Sequence, residues 1–176
     1  MHWACSSWRP RSESGGRKGR RQSRSSVGEP HGVVVIDDFA HHPTAVAGTL
    51  AALRLRYPER RLRAVFEPRS NTSRRRVFQE DFCRALASAD DVVLAEPFTK
   101  ASDPIPAEER LDPEQIVAEL VRRGVPARLM PGAPAIRDYL VESARSGDVI
   151  AVMSNGAFGG LPALVAEALG ARPPDG

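Results

Sequence analysis

The feature that most constrains this chain is a regular alternation of short apolar runs with longer helix-forming segments. From residue 33 onward, each such unit takes about 30 residues, the rhythm of a parallel sheet joined by crossover helices. We predict an α/β fold, a Rossmann-like and mostly parallel sheet with helices on both faces. The predicted strands are 33–36, 62–66, 91–95, 127–130 and 149–153. The predicted helices are 44–56, 75–88, 113–123, 133–144 and 161–169.

The charge distribution separates the start of the chain from the rest. Residues 1–31 hold seven Arg or Lys side chains against two Glu, whereas the remaining residues hold 18 basic and 20 acidic side chains. Residues 1–26 are rich in Arg, Ser and Gly and have no hydrophobic periodicity. We therefore expect a disordered basic tail over 1–26, followed by one domain over 27–176. Because this domain is nearly neutral, its composition argues against nucleic acid as a partner.

The cysteines and the hydropathy of the chain indicate the cellular compartment in which the protein resides. Cys5 and Cys83 form neither a disulfide framework nor a metal-ligand spacing, which favours a reducing environment. No apolar run approaches the roughly 20 residues that a membrane-spanning helix needs, and the N-terminus lacks the apolar segment of a secretory signal. We expect a cytoplasmic protein with no membrane partner.

The densest cluster of titratable side chains follows the first predicted strand, as Asp-Asp-Phe-Ala-His-His-Pro-Thr at 37–44. In open α/β sheets, ligands bind beyond the carboxyl ends of the strands, where this cluster is predicted to lie. Carboxylates and imidazoles there could ligate a divalent metal, contact a nucleotide, or cap the following helix. The side chains concerned are Asp37, Asp38, His41 and His42.

Two further polar loops are predicted at the same edge. Residues 67–72, Glu-Pro-Arg-Ser-Asn-Thr, follow the second strand, and Arg69 can hold a carboxylate in a bidentate fork. The three arginines at 74–76 would oppose the dipole of a helix beginning there, which favours an anion site over a solvated face. Residues 154–160, Ser-Asn-Gly-Ala-Phe-Gly-Gly, follow the last strand. Their glycines allow either a ligand close to the backbone or a tight turn.

A phosphate-binding loop is absent from the sequence. The chain has only two lysines, Lys18 and Lys100, and neither lies in a Gly-x-x-x-x-Gly-Lys-[Ser/Thr] motif. If this edge handles ATP, the phosphate cradle must come from another domain.

Together, the three motifs resemble the C-terminal domain of the bacterial Mur ligases, with the closest likeness to the murein peptide ligases. Residues 37–44 resemble the Asp-Asp-aromatic-small-His-His-Pro-Thr signature of the alanine-adding branch, and 67–72 and 154–160 resemble loops of the recycling branch. The likeness covers residues 27–170. Gly28, Glu29 and Gly32 resemble the strand that usually opens this domain.

The resemblance implies part of an ATP-dependent ligase of peptidoglycan recycling. Such a ligase joins the muramyl carboxylate of UDP-N-acetylmuramate to the amine of L-alanyl-γ-D-glutamyl-meso-diaminopimelate. ATP and Mg²⁺ would be held mainly by a central P-loop domain, which this sequence lacks together with the UDP-binding N-terminal domain. We therefore expect a fragment, or one part of a split gene, without ligase or ATPase activity by itself.

The resemblance also implies roles for particular residues. It assigns Asp38, His41 and His42 to ATP, with Asp38 at the ribose and His41 near the phosphates and the reacting carboxyl. It implies no complete catalytic set in this chain and no metal ligand. The residues expected to hold the tripeptide are Arg69, Ser70, Asn71, Thr72, Ser154, Asn155 and Gly156.

Two other classes of protein stay open on the residues alone. A non-catalytic binding module would be recruited by the basic tail at 1–26. A stand-alone metal-dependent hydrolase would need several ligands from different loops. Its candidate ligands are Asp37, Asp38, His41 and His42, with Glu67 and Glu96 as additions.

Overall fold

A computed structural model of the 176-residue chain describes residues 24–97 and 104–172. Most of the predicted tail, together with Cys5, Lys18 and Lys100, lies outside the described residues. The strands are β1 Arg24–Gly28, β2 Val34–Asp38, β3 Leu62–Phe66, β4 Asp91–Ala95, β5 Ala127–Met130 and β6 Val149–Met153. The helices are α1 Pro43–Arg56, α2 Gln79–Leu86, α3 Pro113–Arg122, α4 Gly132–Ser143 and α5 Leu161–Gly170.

The six strands form one sheet in the order β1-β2-β6-β3-β4-β5. All neighbouring pairs from β2 to β5 are parallel, and β1 pairs with β2 in the antiparallel direction. The predicted mostly parallel α/β sheet is therefore confirmed. Its five predicted strands and five predicted helices all occur, with ends that differ by a few residues.

The edge strand β1 was not among the strands predicted from apolar runs, although Gly28, Glu29 and Gly32 resembled an opening strand. It begins at Arg24, inside the segment expected to be a disordered tail. Ser26 of β1 lies opposite Ile36 of β2. Main-chain hydrogen bonds form this pairing, so it does not require apolar side chains on the added strand. A polar edge strand therefore leaves little hydrophobic pattern in the sequence.

The helix predicted over 75–88 begins later, at Gln79, after a single 3-10 turn at Arg76–Phe78. Glu80 and Asp81 occupy its first turn. Acidic side chains at this end complement the positive end of the helix dipole, which the arginines would have opposed. The three arginines thus precede α2, and the expected conflict with the dipole does not arise.

The helices cover both faces of the sheet and produce two apolar layers. One layer contains buried residues of α1, α2 and α3, and the other contains buried residues of α4 and α5. Side chains alternate between the layers along each strand, so Val65 faces the α4 and α5 layer and Phe66 the opposite one. Within the described ranges, no helix is long and apolar enough to cross a membrane.

The last strand, β6, lies in the middle of the sheet. It pairs with β2 on one side and with β3 on the other, and all five of its residues are buried. Because these three strands are parallel and adjacent, their carboxyl ends lie side by side. The motifs at 37–44, 67–72 and 154–160, which are far apart in sequence, therefore meet at one edge.

The turn from β6 into α5 uses left-handed backbone at three consecutive residues. Phe158, Gly159 and Gly160 have φ angles of 42°, 60° and 73°. Phe158 accepts this unfavourable conformation while its ring is buried, 3% exposed, in the layer beneath α4 and α5. Gly159 and Gly160, which follow it, adopt the left-handed conformation without a side-chain clash and so allow the chain to turn into α5.

We expect Gly160→Ala to lower the free energy of unfolding by about 1–2 kcal/mol, because a side chain disfavours the left-handed conformation. A Cβ there would meet no atom within 4 Å, so the effect isolates backbone strain from crowding. Urea denaturation measures the change. Gly48→Ala in α1 is the control, since it should raise stability by about 1 kcal/mol. Equal effects at the two positions would contradict the strained turn.

Candidate functional site

Three loops converge at the carboxyl edge of β2, β6 and β3, and main-chain hydrogen bonds join them. The backbone N–H of Ser154 donates to the carbonyl of Asp38 at 3.1 Å. The N–H of Glu67 donates to the carbonyl of Met153, also at 3.1 Å. The end of β2 and the loop after β3 are therefore each linked to the end of β6 by one main-chain hydrogen bond. This edge of the sheet is the candidate functional site.

Asp38 is completely buried and ties the end of β2 to α1. Its Oδ1 accepts a hydrogen bond from the N–H of Ala40 at 2.9 Å, and its Oδ2 accepts one from the Thr49 hydroxyl at 2.9 Å. Both carboxylate oxygens are therefore used inside the protein. This geometry does not favour the expected contact between Asp38 and a ribose, since the side chain has no exposed surface.

The two histidines after β2 differ in their roles. His42 is the N-cap of α1, where its Nδ1 accepts a long hydrogen bond, 3.4 Å, from the N–H of Thr44. His41 is half-buried, with its Nδ1 2.9 Å from the carbonyl of Phe39 and its ring edge-on to the Phe39 ring. Because a carbonyl can only accept, this contact requires a proton on Nδ1 of His41. A neutral ring with its proton on Nδ1 has none on Nε2, so Nε2 can donate to a phosphate only when the ring carries two protons.

Asp37 is the exposed carboxylate of this cluster. Partial burial, and then the negative charge of neighbouring Asp38, raise the pKa of Asp37 above its usual value. The charged form of Asp37 is therefore less favourable in the folded protein than in the unfolded chain.

A metal centre finds no support in this arrangement. Across residues 24–97 and 104–172, no group of three or more His, Cys, Asp or Glu side chains is arranged to hold a metal ion. Asp38 binds Ala40 and Thr49, and Glu67 accepts a hydrogen bond from Ser154, so these candidate ligands already have partners. The described residues thus do not favour the metal-dependent hydrolase.

The loop after β3 is organised by its own side chains. The hydroxyl of Ser70 accepts from the N–H of Ser73 at 2.9 Å, and the amide oxygen of Asn71 accepts from Arg74 at 2.9 Å. Thr72 and Asn71 are exposed, and the side chain of Arg69 is 48% exposed. Arg69, Asn71 and Thr72 are therefore the members of this loop that face outward.

The loop after β6 contacts the loop after β3 directly. The buried hydroxyl of Ser154 donates to Glu67 Oε2 at 2.5 Å and accepts from the N–H of Gly156 at 3.1 Å. Glu67 Oε1 lies 3.5 Å from Arg69 Nη1. The half-buried Asn155 has a buried Oδ1 that finds no hydrogen-bond donor in the part of the chain that the structure describes. Because this oxygen has almost no exposed surface, a ligand N–H could reach it only after the loop moves.

The structure thus brings all the predicted site residues to one edge but divides their roles. Asp38, Ser70 and Ser154 are used to hold the loops, whereas Arg69, Asn71 and Thr72 are exposed at this edge. Sequence reasoning missed Thr49 and the structural use of Glu67. Nothing near Thr49 in sequence signals its role, because its partner Asp38 lies on another element.

The sequence over residues 19–156 matches the Mur ligase family at its glutamate ligase domain. The chain therefore belongs to the Mur ligase family, as its C-terminal domain, and the resemblance first read from the motifs is confirmed. This domain is shared by ligases of peptidoglycan synthesis and recycling.

Relatives of this domain include ligases named for the diaminopimelate peptide and ligases named for L-alanine. The UDP-N-acetylmuramate–L-alanyl-γ-D-glutamyl-meso-2,6-diaminoheptandioate ligase of Escherichia coli K12 is 43% identical over 136 residues, covering 76% of this chain but 27% of that protein. The murein peptide ligase structure from Psychrobacter arcticus, 28% identical, has a TM-score of 0.70 and covers 88% of this chain and 31% of its own. This chain therefore spans less than a third of each.

A separately crystallised domain from Haemophilus ducreyi gives a comparison of matching size. It comes from a protein named as a UDP-N-acetylmuramate:L-alanyl-γ-D-glutamyl-meso-diaminopimelate ligase and is 30% identical. The TM-score is 0.62, and the match covers 82% of this chain and 98% of that domain. The two chains therefore share one domain fold over nearly the whole of the smaller one.

We expect Thr49→Val to lower the free energy of unfolding by about 1–3 kcal/mol, because the buried Asp38 carboxylate loses a hydrogen-bond donor without a change in side-chain size. Urea denaturation measures the difference. Thr44→Val, at an exposed position in the first turn of α1, is the matched control and should change stability little. Equal stabilities of the two variants would show that the Thr49 hydroxyl does not support Asp38.

We expect Asp37→Asn to stabilise the protein increasingly as pH rises from about 3 to about 6. The raised pKa means that the folded protein holds this proton more tightly than the unfolded chain does, so wild-type stability is lost as the carboxyl ionises. The amide removes that titration. Denaturation midpoints of both proteins across this range test the effect, with Glu59→Gln as an exposed control. A pH-independent difference would contradict it.

Proposed function

We propose that this chain is the peptide-holding domain of an ATP-dependent ligase of peptidoglycan recycling. The ligase would join the muramyl carboxylate of UDP-N-acetylmuramate to the amine of L-alanyl-γ-D-glutamyl-meso-diaminopimelate. The observation that carries this proposal is the half-exposed Arg69, which lies where the loops after β3 and β6 touch. The name of the 43%-identical Escherichia coli relative specifies the same two substrates.

The chemistry of the tripeptide suits the outward-facing residues. Diaminopimelate ends in a carboxylate and an amine, and a guanidinium binds a carboxylate through two parallel hydrogen bonds. The exposed Asn71 and Thr72 add short polar groups to the same loop as Arg69, and the buried Oδ1 of Asn155 would accept from a peptide or amine N–H once the loop after β6 moves. L-alanine alone has one carboxylate and reaches fewer of these groups. Ser70, Ser154 and Gly156 would act by shaping the loops.

The nucleotide side of the reaction needs a second domain. ATP with Mg²⁺ would activate the muramyl carboxylate by phosphorylation, and the sequence contains no P-loop lysine to hold it. We assign His41 and His42 to the surface that meets ATP, because both reach solvent at this edge, and Asp38 to support of that surface. Closure of this edge over the other domain would align the amine and exclude water.

The nucleotide substrates determine both the location of the reaction and its dependence on other domains. Both nucleotide substrates, ATP and a UDP-sugar, belong to the cytoplasm, where we place the reaction. We propose that the chain by itself neither hydrolyses ATP nor forms the peptide bond. In such a ligase, its partners would be a central P-loop domain and a UDP-binding domain.

A domain replacement tests this function. We expect a chimera in which residues 24–172 replace the matched segment of the Escherichia coli relative to join the tripeptide to UDP-N-acetylmuramate when ATP is present. Arg69→Ala in the chimera should lower kcat/KM for the tripeptide about tenfold or more, because a charge-assisted contact is lost. The control Arg122→Ala, at the end of α3, should leave it unchanged.

Two outcomes would contradict the proposal. A folded chimera that accepts L-alanine in preference to the tripeptide would assign the domain to the alanine-adding branch. Turnover of ATP by the isolated 176-residue chain would show that the additional domains are not needed. Circular dichroism and elution volume confirm that each protein is folded before its activity is compared.

A further inference from the structure

We propose that Glu67 and Gly156 are positioning residues that hold the guanidinium of Arg69 in one orientation. With Ser154 they form a closed set of contacts, which we call the Arg69 clamp: Glu67, Arg69, Ser154 and Gly156. The orientation of Arg69 is a property of the free domain, whereas the ligand it serves rests on the function proposed above. The two parts can therefore be tested separately.

The first half of the clamp is electrostatic. The Glu67 side chain is 11% exposed, and its two oxygens face different partners. Oε2 accepts the 2.5 Å hydrogen bond from Ser154, and Oε1 lies 3.5 Å from Arg69 Nη1. A buried carboxylate needs such compensation, so Glu67 draws the guanidinium towards the end of β6. Arg69 is thereby linked, through Glu67 and Ser154, to the end of the neighbouring strand β6.

The second half of the clamp is steric. A Cβ added to Gly156 would lie 2.8 Å from Arg69 Nε, 2.9 Å from its Cδ and 3.3 Å from its Cζ. The φ angle of Gly156 is not in the left-handed region, so a side chain at this position would be opposed by the Arg69 side chain and not by the backbone conformation. The Arg69 side chain therefore lies directly across the backbone at Gly156, and any side chain there would displace it.

Ser154 closes the set of contacts. Its hydroxyl donates to Glu67 and accepts from the N–H of Gly156, so the same group fixes the carboxylate and the backbone on which Arg69 lies. Ser154 is 4% exposed and directly follows β6, which anchors the clamp to a strand whose residues are all buried. Shared contacts of this kind make the four residues act as a unit.

The clamp matters because a free arginine side chain is flexible. An exposed arginine loses rotamer freedom when it binds a ligand, and that loss weakens binding. Holding the guanidinium beforehand reduces this loss, while 48% of the Arg69 side chain stays exposed for contact with an anionic group. Gly156 and Glu67 would thus contribute to affinity without touching the ligand.

The orientation is tested first in the free 176-residue protein. In ¹⁵N NMR spectra, we expect the Arg69 Nε–H group to be ordered in the wild type, with a positive heteronuclear NOE that falls towards the value of an exposed arginine in Gly156→Ala. Glu67→Gln keeps the side-chain size but removes the charge, and should loosen the same group. Gly48→Ala, where a Cβ meets nothing within 4 Å, is the control. An unchanged Arg69 signal in Gly156→Ala and Glu67→Gln would overturn the clamp.

The functional consequence is tested by a double-mutant cycle in the chimera, with the KM and kcat for L-alanyl-γ-D-glutamyl-meso-diaminopimelate as readouts. Gly156→Ala and Arg69→Ala should each raise the KM about tenfold, and the double variant should be no worse than either alone. Additive losses would show that Gly156 acts independently of Arg69. An ordered Arg69 in a chimera that does not use the tripeptide would refute the proposed function while leaving the clamp intact.

Discussion

The pairing of β6 with β2 on one side and β3 on the other is the constraint on which the rest of this structure depends. The last strand of the chain lies between the first two parallel strands, so their carboxyl ends and the loops that follow become neighbours. Hydrogen bonds at Ser154 and Glu67 continue the two ladders beyond the strands. The position of every candidate ligand-binding group follows from this arrangement.

Many polar residues at this edge support others instead of facing a ligand. Both carboxylate oxygens of Asp38 accept hydrogen bonds, from Ala40 and Thr49, and the hydroxyl of Ser154 donates to Glu67 and accepts from Gly156. Burying such groups is costly unless they are hydrogen-bonded, so some residues of each motif form hydrogen bonds to other residues of the protein. The exposed Arg69 lies on loops whose residues Glu67, Ser154 and Gly156 are hydrogen-bonded to one another. Three glycines in one loop likewise serve two purposes, a close approach at Gly156 and a turn at Gly159 and Gly160.

The parts that could be predicted from the sequence are those with a local cause. The five parallel strands are mostly apolar, with charged residues such as Arg63 and Arg128 as exceptions, and the helices between them have apolar residues at helical spacing, so both were predictable. The edge strand β1 was missed because main-chain pairing needs no apolar pattern. The start of α2 was placed too early because the arginines were included in the helix, although Glu80 and Asp81 are better suited to its first turn.

The sequence by itself determined the fold class, the Mur ligase family and the three loops of the candidate site, because each of these depends on residues that are close together in the chain. Only the tertiary structure decided which members of those loops face outward. Asp37 and Asp38 are adjacent and chemically alike, yet one is exposed and the other completely buried, because successive residues of a strand point to opposite faces and Asp38 lies on the face where Thr49 of α1 contacts it. The contact between Arg69 and Gly156 likewise joins residues 87 positions apart, and it exists only because β6 inserts beside β3.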